Sequence, residues 1–394
     1  MSAKTVVAVL ALVASGSSAA NAQTSGSFVS TLGVDTASVE RYTRAKDKLE
    51  GDVLLRYPRV RIVHYVADLD GGRFKGMSLV SRRVGVDPAS PPTFSMVTLL
   101  GDTAATVEIQ RGGKPDTVNS GRRSYRSGRV TPAFPSEPPS FGLYEQMLSF
   151  NPPTGLDSII VTQVSSGVGP NSTISMIRRG KDSVIFNSSF FPGWIERASV
   201  DASGHITGID ATATTVKTIT RRVNGVDFDA IARTWASVEA AKGAAGQMSP
   251  PDTVRAAIGS ANIEVAYSRP FRRGRVVFGN VVPFNQVWRT GANAATQFTT
   301  SADLVFGTTL VPAGKYTLWT LPTATGARLI INSQTGQWGT DYDASKDFTR
   351  IDLVQSTLAI PVDEFTIAIV PNGNGATLRI QWDDRDYSIP FRLK

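Results

Sequence analysis

The stretch EFTIAIVPNGNGATLRIQW, residues 364–382, decides the fold of the C-terminal part of the chain. Apolar and polar residues alternate on both sides of Asn372-Gly373-Asn374-Gly375, a pattern that is typical of half-buried strands. Asn-Gly favours a tight hairpin turn because both residues tolerate positive φ. The stretch therefore predicts an antiparallel β-hairpin.

The same alternation recurs on either side of this hairpin. It is found in ANIEVAYSRP (261–270), TTLVPAGKYTLWTLP (308–322), ARLIINSQ (327–334) and DYSIPFRL (386–393). Turn signals separate these runs at intervals of roughly 8–12 residues, which is typical of an all-β domain. Residues 249–394 are therefore predicted to form a jelly-roll-like β-sandwich.

Residues 27–225 contain a second set of strand patterns. Hairpin turns are indicated at Asp70-Gly71-Gly72 and at 201–204. Ser140 is a candidate N-cap for a short helix that follows it. This part of the chain predicts a curved antiparallel sheet or open barrel that carries one short helix, so the whole chain is expected to be mainly β with two domains.

Between the two domains, residues 226–248 predict a helix and a linker. Ile231, Trp235 and Val238 follow the spacing of an amphipathic helix. The segment GAAGQMSPPD, residues 243–252, is rich in small residues, Gly and Pro, as linkers are.

The first 22 residues have the pattern of a secretory signal peptide. Lys4 precedes an apolar run over 6–13, and Ala20-Asn21-Ala22 is a small-x-small cleavage site. The apolar run is shorter than the ~20 residues that a membrane-spanning helix needs, and no later segment reaches that length. The sequence therefore predicts a periplasmic or extracellular protein without a transmembrane segment. The absence of Cys excludes disulfides and thiolate chemistry.

The chain is basic, with 41 Lys and Arg against 33 Asp and Glu. Much of the excess lies in Arg-Arg pairs that are scattered along the sequence rather than gathered in one segment. Neighbouring residues of a strand point to opposite faces, so such pairs do not form a basic stripe. We therefore expect no nucleic-acid binding, whereas contact with an anionic envelope component is compatible with the charge.

Four segments of the C-terminal domain resemble the bacterial family called domain of unknown function 2911. They are YSRPFRRGRVVFGNVVPFNQVWRTGANAATQF (267–298), LVPAGKYTLWTLP (310–322), NSQTGQWGTDYDASKD (332–347) and ATLRIQWDDRDYSIPF (376–391). The resemblance implies an exported β-sandwich and assigns no activity. The family commonly has an acidic residue after Gly-Ala-Asn, where this chain has Ala294.

Five residues of these motifs are candidates for a ligand site: Arg269, Trp288, Arg289, Asn293 and Trp338. The planar guanidinium of Arg289 suits an anion or a hydroxyl-rich ligand, and Asn293 adds one donor and one acceptor. One of the two tryptophans would form a wall of the pocket. Two alternatives remain open, that Arg289 pairs with an acid such as Asp303 or that it binds backbone carbonyls and holds a loop.

Other chemistries are less well supported by the sequence. The acids of the loop 341–352 follow the order of the ligands in a calcium-binding loop. However, Lys346 stands where such a loop has Gly, and Asp352 stands where it has Glu. We therefore expect no metal site. His64 and His205 are the only histidines, no phosphate-binding loop is present, and no cofactor is expected.

The sequence thus favours an exported module that binds a carbohydrate, a small anion or an envelope component. The alternative is a hydrolase of a glycan or ester, with a pair of carboxylates as acid and base. Its candidate acids are Glu264, Asp303, Asp363, Glu364, Asp383 and Asp384.

Overall fold

The computed structural model describes residues 24–124, 133–135, 140–150, 158–166, 172–189 and 193–394. The predicted signal peptide, residues 1–22, lies outside this range. The described chain is mainly β and forms two sheets, one from each part of the sequence, as predicted. Neither of the two α-helices in this part of the chain has the length and apolar character needed to cross a membrane.

The first sheet contains sixteen strands. The strands before the first helix are Thr24–Leu32 (β1), Asp35–Arg44 (β2), Lys48–Leu55 (β3), Arg61–Asp70 (β4), Arg73–Arg83 (β5), Phe94–Leu100 (β6), Ala104–Arg111 (β7), Lys114–Pro115 (β8), Gly121–Ser124 (β9) and Ala133–Pro135 (β10). Helix α1 spans Phe141–Phe150. The strands after it are Ser158–Val164 (β11), Thr173–Arg178 (β12), Ser183–Ser188 (β13), Ile195–Val200 (β14), Ile206–Asp210 (β15) and Ile219–Val223 (β16).

Successive strands of this sheet pair mostly as antiparallel hairpins. The predicted turns at Gly71-Gly72 and at Gly204 join β4 to β5 and β14 to β15, and all three glycines have positive φ. Pairing of β16 with β1 joins the two ends of the domain. The sheet curves strongly, so that Phe134 of β10 contacts Phe74 of β5 with ring centroids 5.8 Å apart.

Helix α1 packs in the concave side of this sheet, and a carboxylate holds its first turn. Glu40 accepts hydrogen bonds from the backbone N–H groups of Phe141 and Gly142, at 2.6 and 3.0 Å, and from the hydroxyl of Tyr65 at 2.8 Å. An acceptor at this position satisfies N–H groups that have no partner within the helix. Burial raises the pKa of Glu40 to about 7.

The second sheet follows helix α2, which spans Phe228–Lys242 and is capped by Asp227. Its nine strands are Pro251–Ile258 (β17), Ala261–Ser268 (β18), Thr296–Thr300 (β19), Leu304–Phe306 (β20), Thr309–Val311 (β21), Gly314–Pro322 (β22), Ala327–Asn332 (β23), Asp347–Asn372 (β24) and Gly375–Leu393 (β25). A short 3-10 helix at Ala344–Lys346 precedes β24.

The predicted hairpin around Gly373 is the longest pairing in the molecule. Strand β24 pairs with β23 over its first residues and with β25 over the remainder, so it turns from one layer of the sandwich into the other. The two layers enclose a common apolar core. Trp382 lies in this core with 2% of its surface exposed, as its alternating strand predicts.

The two sheets dock through a cluster of polar contacts around Arg273. Its guanidinium pairs with Asp35 of β2 and donates to the hydroxyl of Tyr57 at 2.7 Å, and its carbonyl accepts from the N–H of Val34 at 3.1 Å. A Cβ at Gly33, which has φ +63°, would lie only 2.2 Å from that carbonyl. The linker is tied to the first sheet by the N–H of Gly246, which donates to the carbonyl of Pro58 at 2.9 Å.

We expect Arg273→Met to loosen this docking. The substitution removes the nearer of the two cations beside Asp35 and leaves Arg56, 3.6 Å away, as its remaining partner cation among the described residues. Loss of the charged hydrogen bond costs about 2 kcal/mol of stability. Thermal unfolding should begin at a lower temperature, and limited proteolysis should cut the linker 243–249 faster. The matched control is Arg255→Met, whose pair with Glu264 is exposed and lies within the second sheet, so its cost should stay below ~1 kcal/mol. Equal effects of the two variants would contradict the docking role.

Candidate functional site

A cavity of about 360 Å³ lies between the two sheets, beside the Arg273 cluster. Its apolar wall includes Phe271, Val281, Trp288 and Trp382. Its cationic and polar side chains include Arg61, Thr215, Lys217, Arg275, Arg289 and Asn293. Because both sheets contribute, neither part of the chain forms the cavity alone. We refer to it as the interdomain cavity.

The backbone of residues 288–296 is held by a dense set of hydrogen bonds. Trp288 and Thr320 exchange both backbone hydrogen bonds at 2.8 Å, and the hydroxyl of Thr296 donates to the carbonyl of Thr290 at 2.7 Å. Thr290 has φ +53°, which is rare for a β-branched residue. Such backbone persists only where the surroundings enforce it, and it is often found near functional sites.

This backbone sends Trp288 and Arg289 into different surroundings. The Trp288 ring stacks on Trp382 with centroids 5.8 Å apart and an interplanar angle of 18°, and it meets the edge of Phe365. It therefore joins the core of the sandwich and presents part of its surface to the cavity as a wall.

Arg289 is a buried cation without a counter-ion. Only 8% of its surface is exposed, and it makes no hydrogen bond or ion pair with any residue that the structure describes. Its Nε is fully enclosed. Burial lowers the pKa of Arg289 to about 10, so the side chain stays charged at neutral pH. Since buried charges are normally paired, this guanidinium is available for a ligand in the cavity.

Gly339 makes room for the Arg289 side chain. A Cβ at this glycine would lie 2.0 Å from Cδ of Arg289 and 2.4 Å from the carbonyl oxygen of Asn293. The N–H of Gly339 donates to that same carbonyl at 3.0 Å. The close approach fixes the direction in which Arg289 runs, and it explains why the sequence has glycine after Trp338.

Asn293 lies at the edge of the cavity next to the linker. It has φ +59°, a conformation that Asn tolerates, and its Nδ2 makes long contacts with the carbonyl of Ser249 at 3.4 Å and the hydroxyl of Ser268 at 3.5 Å. Ala294, which stands where the resembling family commonly has an acid, is exposed and forms an isolated bridge with Trp338.

Three more cations line the cavity without a carboxylate partner in the described part of the chain. Arg61 donates to the carbonyl of Tyr57 at 3.0 Å, and Arg275 donates to backbone carbonyls including that of Phe271 at 2.6 Å. Lys217 donates to the carbonyl of Thr212 at 2.9 Å. Carbonyl oxygens orient these side chains without neutralising them, and Asp363, which does not line the cavity, lies close enough to Arg275 to interact with its charge.

The acids near the cavity are engaged by other arginines. Asp35 pairs with Arg273, and Arg269 takes both Asp252 and Glu364, at 3.5 and 3.1 Å. The cavity lining includes no Asp or Glu among the residues described. The acids thus neutralise the cations around the cavity, and those inside it produce a positive potential that attracts anions.

The structure brings three of the five predicted ligand residues to the cavity. Trp288, Arg289 and Asn293 line it, whereas Arg269 and Trp338 do not. In addition to its two ion pairs, Arg269 donates a hydrogen bond to the carbonyl of Phe365 in β24 at 3.1 Å. Trp338 is partly exposed. Asp303, considered as a partner of Arg289, instead pairs with Lys394 at 3.2 Å.

Sequence reasoning missed Arg61, Lys217 and Arg275. Arg61 and Lys217 come from the first sheet, and no local motif marks them because only the docking of the sheets brings them beside Arg289. Arg275 lies in the quoted segment 267–298, where nothing local distinguishes it from the neighbouring arginines. Lys217 carries one unusual feature, a φ of +52° in the turn before β16, but the sequence alone does not reveal it.

The other candidate chemistries occupy different places. In the calcium-like loop, Asp343 caps the 3-10 helix and Asp347 accepts hydrogen bonds from Tyr342, Asn332 and Arg350. No cluster of three or more His, Cys, Asp or Glu side chains that could hold a metal ion occurs within the described ranges. None of the six carboxylates considered for hydrolysis lines the interdomain cavity.

Comparison with known proteins bears on the second sheet. Residues 249–391 match the family model described as "Protein of unknown function (DUF2911)", so the C-terminal resemblance is confirmed. The N-terminal part has no family match. No curated protein matches the chain.

Two solved structures are similar to part of the chain. A DUF1089 family protein from Pseudomonas aeruginosa has 12% identity and a TM-score of 0.30, covering 45% of this chain and 90% of its own. A β-barrel-like protein of domain of unknown function DUF1849 from Brucella abortus has 8% identity and a TM-score of 0.31, covering 51% of this chain and 95% of its own. At these TM-scores neither similarity assigns a function.

We expect Arg289→Met to leave the fold intact and to raise stability by roughly 1 kcal/mol, because it removes a buried charge and keeps an apolar stem of similar length. Thermal or denaturant unfolding of the ligand-free protein measures the change. A loss above about 2 kcal/mol would instead identify Arg289 as a residue that holds the loop.

Proposed function

We propose that the protein binds a small organic anion in the interdomain cavity. The observation that carries the proposal is the buried guanidinium of Arg289, which pairs with none of the residues described and lies at the wall of a cavity that contains further cations and no acid in its described lining. Functional sites commonly retain such costly charges because a ligand provides the missing partner.

The lining favours one ligand class over the others. Its cationic side chains match a carboxylate, sulfate or phosphate group, for which arginine offers a planar fork of donors. Its apolar wall, with Trp288 and Trp382, suits the carbon skeleton of an organic molecule. A neutral carbohydrate would satisfy neither the charge of Arg289 nor that of Arg275.

A hydrolase based on two carboxylates has no comparable support at this place. General acid–base cleavage needs an acid and a base within reach of the scissile bond. Glu364 and Asp35 near the cavity are bound to Arg269 and Arg273, and no Asp or Glu enters the described lining. Binding is therefore the function that the geometry supports best.

The binding test uses succinate, citrate and inorganic phosphate at constant ionic strength, with glucose as the neutral comparison. We expect the anions, but not glucose, to raise the melting temperature and to give a calorimetric binding isotherm. Arg289→Met should raise the Kd for these anions about 10- to 100-fold, which corresponds to the loss of one charged hydrogen bond.

Two further variants sharpen this test. Gly339→Ala keeps every charge but displaces Arg289, so it should also weaken binding. Arg255→Met removes an exposed arginine far from the lining and should bind as the unaltered protein does. Equal affinity of all variants, or tighter binding of glucose than of any anion, would refute anion binding at this cavity.

We further propose that binding takes place outside the cytoplasm, on the basis of the signal-peptide pattern in residues 1–22. Protein recovered from the periplasmic or culture fraction of an expressing bacterium should begin at Gln23 when its N-terminus is sequenced. Retention of Met1 in cytoplasmic protein only would contradict export.

A further inference from the structure

Lys217 differs from the other cations of the interdomain cavity in its chemistry. An arginine stays protonated at all physiological pH values, whereas a lysine amine that loses its proton is a nucleophile. Lys217 lines the cavity from the first sheet, at a place where Arg275 and Arg289 line it from the second. The cavity, which Arg61 also lines, thus combines three guanidinium groups with one amine.

Hydrogen bonds brace the turn that carries Lys217. The N–H of Ala211 donates to the carbonyl of Thr218 at 2.9 Å, and the buried hydroxyl of Thr214 donates to the carbonyl of Ala211 at 2.7 Å. Lys217 itself has φ +52°, and its Nζ contacts the carbonyl of Thr212 at 2.9 Å. This geometry gives the half-buried Lys217 a defined position in the cavity lining.

The surroundings of Lys217 favour its neutral form. It has no carboxylate partner in the described chain. Burial, with added repulsion from Arg289 and Arg275, lowers the pKa of Lys217 to about 8. About one tenth of the amine is then neutral at pH 7, against less than about one in a thousand for an ordinary lysine. A lysine placed in this way beside other cations is a known arrangement for imine formation.

We propose that Lys217 forms an imine with an aldehyde or keto group of the organic anion that the cavity binds. The neutral Nζ attacks the carbonyl carbon, and a C–N bond forms as the carbonyl π bond opens. The carbonyl oxygen then leaves as water with the two protons of the amine, and a C=N bond remains. No oxidant or reductant is needed, and water reverses the step.

The arrangement of the cavity matches a 2-oxo acid. The carboxylate of such a molecule is adjacent to its carbonyl carbon, so a guanidinium that binds the carboxylate presents the carbonyl to a nearby amine. Holding the two reactants together raises the effective concentration of the carbonyl at Lys217. The inference rests on the proposed function, because it assumes that anions enter the interdomain cavity.

The experiment traps the imine by reduction. The full-length mature protein is incubated with pyruvate or 2-oxoglutarate and sodium cyanoborohydride, and intact mass and peptide mapping locate the adduct. We expect one adduct per chain, on Lys217. Lys217→Arg keeps the positive charge and should abolish this adduct, whereas the control Lys242→Arg, at the exposed end of α2, should retain it.

The outcomes separate the two proposals. Lactate has the carboxylate but lacks the carbonyl, so it should bind, compete with pyruvate and form no adduct. If succinate and lactate bind but pyruvate labels Lys217 no faster than surface lysines, the imine proposal fails and anion binding stands. If none of these anions binds, the proposed function fails. Unchanged labelling in Lys217→Arg would also overturn the imine.

Discussion

The contact between Arg273 and the pair formed by Asp35 and Tyr57 is the interaction on which the site depends. It fixes the second sheet against the first, and the interdomain cavity exists only in that arrangement. Burial alone would raise the pKa of Asp35, but the hydrogen bond and the charge of Arg273 help to lower it below its usual value. The Asp35 carboxylate and the Arg273 guanidinium therefore both stay charged across the neutral range and hold the sheets together there.

The arginines near the interdomain cavity fall into two groups, those that bind carboxylates of the protein and those that do not. Arg269 and Arg273, which lie beside the cavity, form ion pairs with nearby carboxylates and stabilise the fold. Arg289 lies deeper and receives no carboxylate, so its charge is directed at whatever fills the cavity. The position of an arginine therefore decides whether it binds a carboxylate of the protein or faces the cavity. The net charge of the chain predicts neither role.

The sequence predicted features that depend on local geometry. The Asn-Gly turn at 373, the helix after Ser140 and the amphipathic helix around Trp235 need only neighbouring residues to form, and all three are present. The segment 35–48 carries no clear local signal; it forms β2 and the start of β3, where pairing with β1 stabilises the strand.

The sequence predicted only part of the site, because the other part forms through contacts between residues that are distant in sequence. Arg289 and Asn293 belong to one unusual stretch, so their residue types drew attention. Lys217 and Arg61 are ordinary basic residues of the first sheet, distant from that stretch in sequence. Arg269 does not line the cavity, because acids of its own sheet and the carbonyl of Phe365 bind its guanidinium. These positions follow from the tertiary structure and not from the local sequence.

Because the cavity takes cations from both sheets, a bound anion and the docked arrangement stabilise each other. An anion held between Lys217 of the first sheet and Arg289 of the second interacts with both only while Arg273 keeps them together. By linkage, the free energy of binding adds to that of docking, about 2.7 kcal/mol at a ligand concentration one hundred times Kd. On the proposed function, the same anion would also pair with the buried charge of Arg289 and offset its desolvation cost.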